Sequence, residues 1–219
     1  MLGPDDRAVL AELAPVLGRA TTLDPRSVAR LRFAGGAATV LVRLPFGVLV
    51  SRSVPASHRA EPLDLTARSA DVLEWLDAAK SADAAGEMPP ERRDAEWRTG
   101  LPPATGWQRI ETVPDDVIRG LVRAGALALK DAAAREGVPG AQPRAEVADA
   151  LLDSIVLTAT DDQGSSGEVT LRALSALTRM GFLPRGGHAY VDLAGRWIRV
   201  VAEYGTVYLE RPGQSLLLR

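Results

Sequence analysis

A stretch rich in proline and glycine divides this chain into two unequal parts. Residues 81–106 contain four prolines and three glycines, and their apolar residues follow no helical or strand period. Such composition is typical of a linker or a surface excursion. We therefore predict an N-terminal subdomain at 1–80, a Pro-rich linker or surface excursion at 81–106 and a second unit at 107–219. A single domain with a long functional loop is the alternative.

The first part has the pattern of a helix, a three-stranded meander and a second helix. Its strands are short and rich in Val and Leu, and Gly-containing turns separate them. Its helices show apolar residues at helical spacing. The predicted elements are helix 5–19, strands 27–33, 39–44 and 48–53, and helix 64–80.

The second part has the pattern of three helices followed by a small antiparallel sheet, which makes the chain an α+β protein. Ser165 lies three residues before Glu168, which is the spacing of a capping box at the start of the third helix. Turn residues separate the segments that follow that helix. The predicted elements are helices 114–136, 144–158 and 168–183, then strands 189–193, 196–202, 206–210 and 215–218.

This element order resembles a winged-helix domain, with residues 168–183 in the place of the recognition helix. The resemblance implies nucleic-acid binding, because no acidic residue lies between Glu168 and Asp192. It places five arginines toward phosphate, on the helix or near the wing: Arg172, Arg179, Arg185, Arg196 and Arg199. The alternative is a small sheet covered by helices that binds no nucleic acid.

A second basic stretch lies in the first part of the chain. Between Pro25 and Ala60 there are six arginines and no acidic residue. Arg30 and Arg32 share one strand face, and Arg43 lies opposite its apolar neighbours by the same period of two. These three arginines are candidates for binding an anion or a nucleic acid. The alternative is an exposed sheet face that needs charge for solubility.

Two tryptophans lie in or beside the predicted linker. Trp97 and Trp107 flank the Pro102-Pro103 pair. Because a large aromatic ring is costly to leave in water, we expect both to pin this segment to a domain or to a second chain. They are the interface candidates of this sequence.

Recognisable catalytic and cofactor motifs are missing. The chain has no cysteine and two histidines, His58 and His188. It lacks phosphate-binding, dinucleotide-binding and nucleophile-elbow signatures, and the acidic loop 161–168 lacks the ligand spacing of a calcium site. We therefore predict no cofactor and no metal, and favour a binding protein over an enzyme.

The sequence also suggests a compartment and a source. Residues 1–7 lack the basic flank and apolar run of a signal peptide, and no apolar run approaches the roughly 20 residues that span a bilayer. Arginine outnumbers lysine 24 to 2, a bias typical of GC-rich genomes. We expect a cytoplasmic, bacterial protein that does not bind membranes.

Three functions stay open from the sequence. The first is a non-catalytic module for protein–protein interaction, as an adaptor or a homo-oligomer. The second is a winged-helix-like protein that binds nucleic acid through its arginines. The third is a small-molecule enzyme that uses carboxylate or His58 chemistry without a recognisable motif.

Overall fold

Two units follow each other along the chain in the computed structural model, one at Met1–Leu101 and one at Pro102–Arg219. The structure describes residues 10–56, 63–78, 90–135 and 145–211. His58 and the strand predicted at 215–218 lie outside these residues. No helix in the described ranges is both long and apolar enough to cross a membrane.

Unit 1 packs two helices on a four-stranded antiparallel sheet. The described elements are a 3-10 helix at Ala11–Leu13, α1 at Ala14–Leu23, β1 at Val28–Ala34, β2 at Ala37–Arg43, β3 at Leu49–Pro55, β4 at Leu63–Arg68, α2 at Ser69–Ala78 and a 3-10 helix at Asp94–Glu96. The strand order is β4-β1-β2-β3. The β1–β2 hairpin turns at Gly35 and Gly36, whose φ angles of 62° and 74° suit a two-residue turn that glycine adopts readily.

Strand alternation decides which face of this sheet is buried. Ala29, Leu31 and Phe33 of β1 point inward and are buried, whereas Arg30 and Arg32 point to the outer face. Helix α2 contacts β1 and β4, and α1 packs on α2. The helices therefore cover the apolar inner face and leave the arginine-bearing outer face to residues 93–97 and to solvent.

Unit 2 has a four-stranded antiparallel sheet, a separate two-stranded hairpin and three helices. The described elements are β5 at Gln108–Pro114, α3 at Asp115–Arg135, α4 at Ala145–Leu152, β6 at Ile155–Thr160, β7 at Ser166–Thr170, α5 at Leu171–Arg179, β8 at His188–Ala194, β9 at Trp197–Ala202 and β10 at Gly205–Glu210. The sheet has the order β10-β9-β8-β5, and β6 and β7 form the hairpin.

Helix α5 forms the centre of the unit 2 core. Leu171, Leu174 and Leu177 are buried, and the Thr170 hydroxyl accepts a hydrogen bond from the Ala173 amide at 3.4 Å as its N-cap. Helix α3 approaches closely at Gly125, where an added Cβ would lie 2.4 Å from Leu171 Cδ2. Small-residue packing therefore sets the distance between these two helices.

The predicted fold class is wrong. Strand β5 precedes the first helix of unit 2, and the β6–β7 hairpin separates its second and third helices, so the unit is not a winged helix. The predicted cap at Ser165 and Glu168 lies in that hairpin instead. In unit 1, residues 63–68 form strand β4 where a helix was expected, because inward Leu65 and Ala67 alternate with outward polar residues.

Candidate functional site

The outer face of the unit 1 sheet holds a compact ion-pair cluster. Arg30 Nε and Nη2 donate to the two carboxylate oxygens of Asp64 at 2.7 and 3.0 Å, and Arg32 Nε donates at 3.2 Å. The hydrogen bond from Arg30 holds the pKa of Asp64 below its usual value, against the opposing effect of burial. One carboxylate therefore balances part of the charge of two arginines.

Residues 93–97, which lie within the predicted linker, cover the β4 edge of this sheet. Arg93 N donates to Thr66 O, and Thr66 N donates to Asp94 Oδ1, each at 2.7 Å. This amide hydrogen bond from Thr66 is the main reason why the pKa of Asp94 lies below its usual value. Trp97 lies on the outer face, with its ring centroid 5.7 Å from the Arg30 guanidinium carbon. Residues 93–97 thus bind to strand β4 of their own unit.

The outer face of the unit 2 sheet carries a second cluster, which we call the Arg109 face. Strand register sets Arg109, Asp192, Arg199 and Tyr208 in one row across β5, β8, β9 and β10. Asp192 is only 2% exposed, and it accepts hydrogen bonds from Arg109 Nε at 3.3 Å and Arg199 Nε at 2.9 Å. Two arginines therefore share one buried carboxylate.

Aromatic rings frame this row. The Arg109 guanidinium carbon lies 3.4 Å from the Tyr190 ring centroid, and that of Arg199 lies 4.3 Å from the Trp107 ring. Trp107 also approaches Tyr208, with ring centroids 6.0 Å apart, and donates from Nε1 to Pro103 O at 2.9 Å. We include Tyr190 and Trp107 in the Arg109 face. Each guanidinium is held by a carboxylate on one side and a ring on the other.

The predicted basic residues differ in their electrostatic surroundings. Five of the eight make ion pairs, and the pairs are Arg30 and Arg32 with Asp64, Arg172 with Asp149 and Asp153, Arg196 with Glu210, and Arg199 with Asp192. Arg43 Nη1 lies 3.4 Å from the Thr99 hydroxyl. In the part of the chain that the structure describes, no carboxylate lies within ion-pair distance of Arg43, Arg179 or Arg185. Anion binding by all eight stays a prediction.

Sequence reasoning missed the centre of the Arg109 face. Arg109 lies on strand β5, which was not predicted. Asp192 and Tyr190 come next to the arginines only through the pairing of β8 with β5 and β9. A local signal was the pair of apolar residues Ile110 and Val113 among polar ones, but they lie three residues apart because a bulge between Arg109 and Glu111 breaks the period of two. Both predicted interface tryptophans contact arginines of their own unit, and their contact with another chain stays a prediction.

Metal ligands do not gather among the described residues of either face. Across residues 10–56, 63–78, 90–135 and 145–211, no group of three or more histidine or acidic side chains is placed to hold a metal ion. His188 lies at the border of the Arg109 face, where its ring hydrogen-bonds the Tyr190 hydroxyl. The two faces thus offer guanidinium, carboxylate and aromatic groups, which are groups suited to recognition.

The fold is that of DNA sliding clamps. The chain is similar to the DNA polymerase sliding clamp from Bacillus subtilis, with 12% identity, a TM-score of 0.59 and coverage of 94% of this chain and 63% of that one. It is also similar to the beta subunit from DNA polymerase of Streptococcus pyogenes (10%, 0.55, 94% and 62%). The DNA polymerase III subunit beta from Pseudomonas aeruginosa is a third such structure (15%, 0.53, 94% and 63%). The chain therefore spans less than two thirds of the length of these structures.

Each half of the chain matches the model of a protein family. The chain belongs to the family described as "Domain of unknown function (DUF8185)", which matches residues 102–214. Residues 1–99 match "Domain of unknown function (DUF8010)". No curated protein matches the chain. The two matches meet next to the boundary between the two structural units.

Proposed function

We propose that this protein is a non-catalytic, clamp-like binding protein that associates with copies of itself and with protein partners. The observation that carries the proposal is the fold, which follows the solved sliding clamps over 94% of the chain. Proteins of that fold are named as polymerase clamps and subunits. With identities of 10–15%, the likeness supports a mode of action by binding and leaves the partner to be found.

An edge strand supports self-association. Strand β5 ends the unit 2 sheet, and among the described residues no strand pairs with its outer side. The Thr112 backbone amide points away from the β5–β8 pair and donates to the Glu111 carboxylate at 2.8 Å. A strand of a second chain can replace this side chain as the acceptor of that hydrogen bond. Exposed edges of this kind pair readily with a second chain.

Light scattering coupled to size-exclusion chromatography tests self-association. We expect a dimer or a larger closed oligomer of the full chain, with a mass that is constant over a roughly tenfold dilution for a tight assembly. Thr112→Pro removes the outward amide and should yield monomer, whereas Thr112→Val keeps the amide and should assemble normally. Circular dichroism checks that both variants fold. A wild-type protein that stays monomeric at all concentrations contradicts the proposal.

DNA association is a second candidate function. It is supported by Arg179 and Arg185, which are exposed and have no carboxylate within ion-pair distance in the described ranges. If they contact phosphate, affinity for random duplex DNA must fall with added salt, and the logarithm of the affinity should fall with the logarithm of the salt concentration with a slope of about −0.9 per phosphate contacted. The double substitution Arg179→Ala and Arg185→Ala should make that slope less steep. Arg196→Ala is the control, because Glu210 at 2.8 Å already balances Arg196. Binding that is insensitive to salt contradicts this candidate.

A further inference from the structure

The Arg109 face presents a pre-positioned positive charge among aromatic rings. We propose that it docks a segment of a protein partner in which an acidic residue is flanked by apolar residues. The central contact is a carboxylate of the partner on the Arg109 guanidinium. This inference rests on the proposed function and deepens it, because it names the chemistry of the partner and the surface that binds it.

Arg109 has the geometry of a carboxylate receptor. Its side chain is 52% exposed, its Nε donates to Asp192, and its guanidinium carbon lies over the Tyr190 ring. Within the described part of the chain, its two terminal nitrogens have no acceptor. A guanidinium that is fixed in this way offers parallel N–H donors that match a carboxylate.

Charge favours an acidic occupant. Arg109 and Arg199 are both hydrogen-bonded to Asp192, so three charged groups leave one net positive charge at the centre of the face. Arg196 and Glu210 form an ion pair with each other and add no net charge. A single carboxylate from a partner would therefore neutralise the centre of the face.

The surrounding side chains suit a protein interface. Trp107, Tyr190 and Tyr208 are half-buried, and strand register places Val201 beside Tyr190. Tyrosine, tryptophan and arginine are the residues that most often dominate binding energy at protein interfaces. Because these side chains already hold each other, the face itself loses less side-chain freedom when a partner binds.

The same geometry disfavours a single-stranded nucleic acid as the occupant. Guanidinium groups already cover one face of the Tyr190 and Trp107 rings, which removes stacking surface that bases need. The acidic loop also borders the face, because Gln108 Nε2 donates to Asp161 Oδ2 at 2.8 Å. A phosphate backbone that ran along the face would meet Asp161 and Asp162, whereas one carboxylate at Arg109 avoids them.

Fluorescence anisotropy with the full-length protein tests the proposal. The probe is a short labelled peptide with two glutamates flanked by leucines, compared with the same peptide carrying glutamines and with labelled oligothymidylate. We expect the glutamate peptide to bind, and Arg109→Gln to weaken it about tenfold to a hundredfold, as for loss of a hydrogen bond to a charged group. The affinity of Arg109→Lys for the glutamate peptide should lie between those of the wild type and Arg109→Gln. Arg196→Gln is the matched control and should bind like the wild type.

Two further measurements keep the outcome clear. In ¹⁵N spectra of the wild type, the glutamate peptide should shift the Nε–Hε signals of Arg109 and Arg199 but not that of Arg196. Light scattering measures the self-association of the wild type separately, without the peptide, which separates a failure here from a failure of the proposed function. The inference is overturned if both peptides bind equally, if Arg109→Gln changes nothing, if the wild type fails to bind at millimolar peptide, or if oligothymidylate binds these arginines more tightly.

Discussion

Asp192 shows how one buried carboxylate can organise a sheet face. It lies between Arg109 and Arg199 and is almost fully shielded from water. Glu210 makes a pair of similar length with Arg196, but both partners of that pair are largely exposed. Burial distinguishes the two, since exposed ion pairs contribute little and a buried group left without its partner is costly.

We expect Asp192→Asn to lower the free energy of unfolding by about 1–3 kcal/mol, because hydrogen bonds between charged groups are lost at a buried position. Glu210→Gln should change it by less than about 0.5 kcal/mol. Urea denaturation followed by tryptophan fluorescence measures both. Equal effects of the two substitutions would show that burial does not distinguish them.

Asp64 makes the stability of unit 1 depend on pH. Its pKa is lowered in the folded protein, first by the hydrogen bond from Arg30, so folding favours its charged form. The stabilisation is therefore present above the ordinary aspartate pKa of about 4 and is lost as pH falls through the lower folded value.

We expect the free energy of unfolding of the wild type to decrease as pH is lowered below about 4, and Asp64→Asn to show a shallower decrease. Asp94 and Asp115 also have lowered pKa values, so the variant should retain part of the slope. Urea titrations at a series of pH values measure this. A variant with an unchanged slope would mean that Asp64 is not stabilised by Arg30.

At the scale of elements, the spacing of apolar residues predicted some strands correctly. It failed where the apolar pattern of a helix continued into a strand. Observed β1, β2 and β3 overlap the three strands expected from Val- and Leu-rich alternation. Residues 155–158 continue the apolar pattern of a helix, yet they belong to β6, whose β-branched residues Ile155, Val156 and Thr158 favour a strand. Strand β5 was not predicted, because its bulge breaks the period of two and because it pairs with β8, which is distant in sequence.

Because helices α3 and α5 pack closely, we expect a glycine-to-alanine substitution to affect stability differently at two positions of α3. A Cβ at Gly125 would lie 2.4 Å from Leu171, whereas a Cβ at Gly120 meets nothing within 4 Å. Gly120→Ala should stabilise the protein by about 0.5–1 kcal/mol through helix propensity. Gly125→Ala should be neutral or destabilising by up to about 2 kcal/mol, since overpacking offsets that gain. Thermal denaturation measures both, and equal stabilisation would contradict close packing at Gly125.

For the whole molecule, the arrangement of strands could not be obtained from the sequence. The order β10-β9-β8-β5 depends on a pairing between strands separated by about 80 residues, and no local pattern encodes it. The same pairing brings Arg109 to Asp192 and so creates the Arg109 face. Charge, local strand alternation and the winged-helix resemblance can therefore select candidate arginines, but they do not show which carboxylates pair with them.

The charge of the whole molecule also limits any association with DNA. The chain has a net charge of −2, and helix α2 carries three acidic residues at spacings of three: Asp71, Glu74 and Asp77. Such a helix repels a phosphate backbone within a Debye length of about 10 Å at 0.1 M salt. The second candidate function therefore predicts that these acids oppose DNA binding when the DNA passes near unit 1.

Neutralising the three acidic side chains of α2 tests this directly, with the substitutions Asp71→Asn, Glu74→Gln and Asp77→Asn made together. We expect affinity for random duplex DNA to rise severalfold at low salt and the gain to vanish at roughly 1 M salt, where the Debye length is about 3 Å. Anisotropy titrations over a salt series measure both, and Thr39→Ala on the outer sheet face is an uncharged control. An unchanged affinity at low salt would place any DNA contact away from α2, because charges closer than the screening length must influence each other.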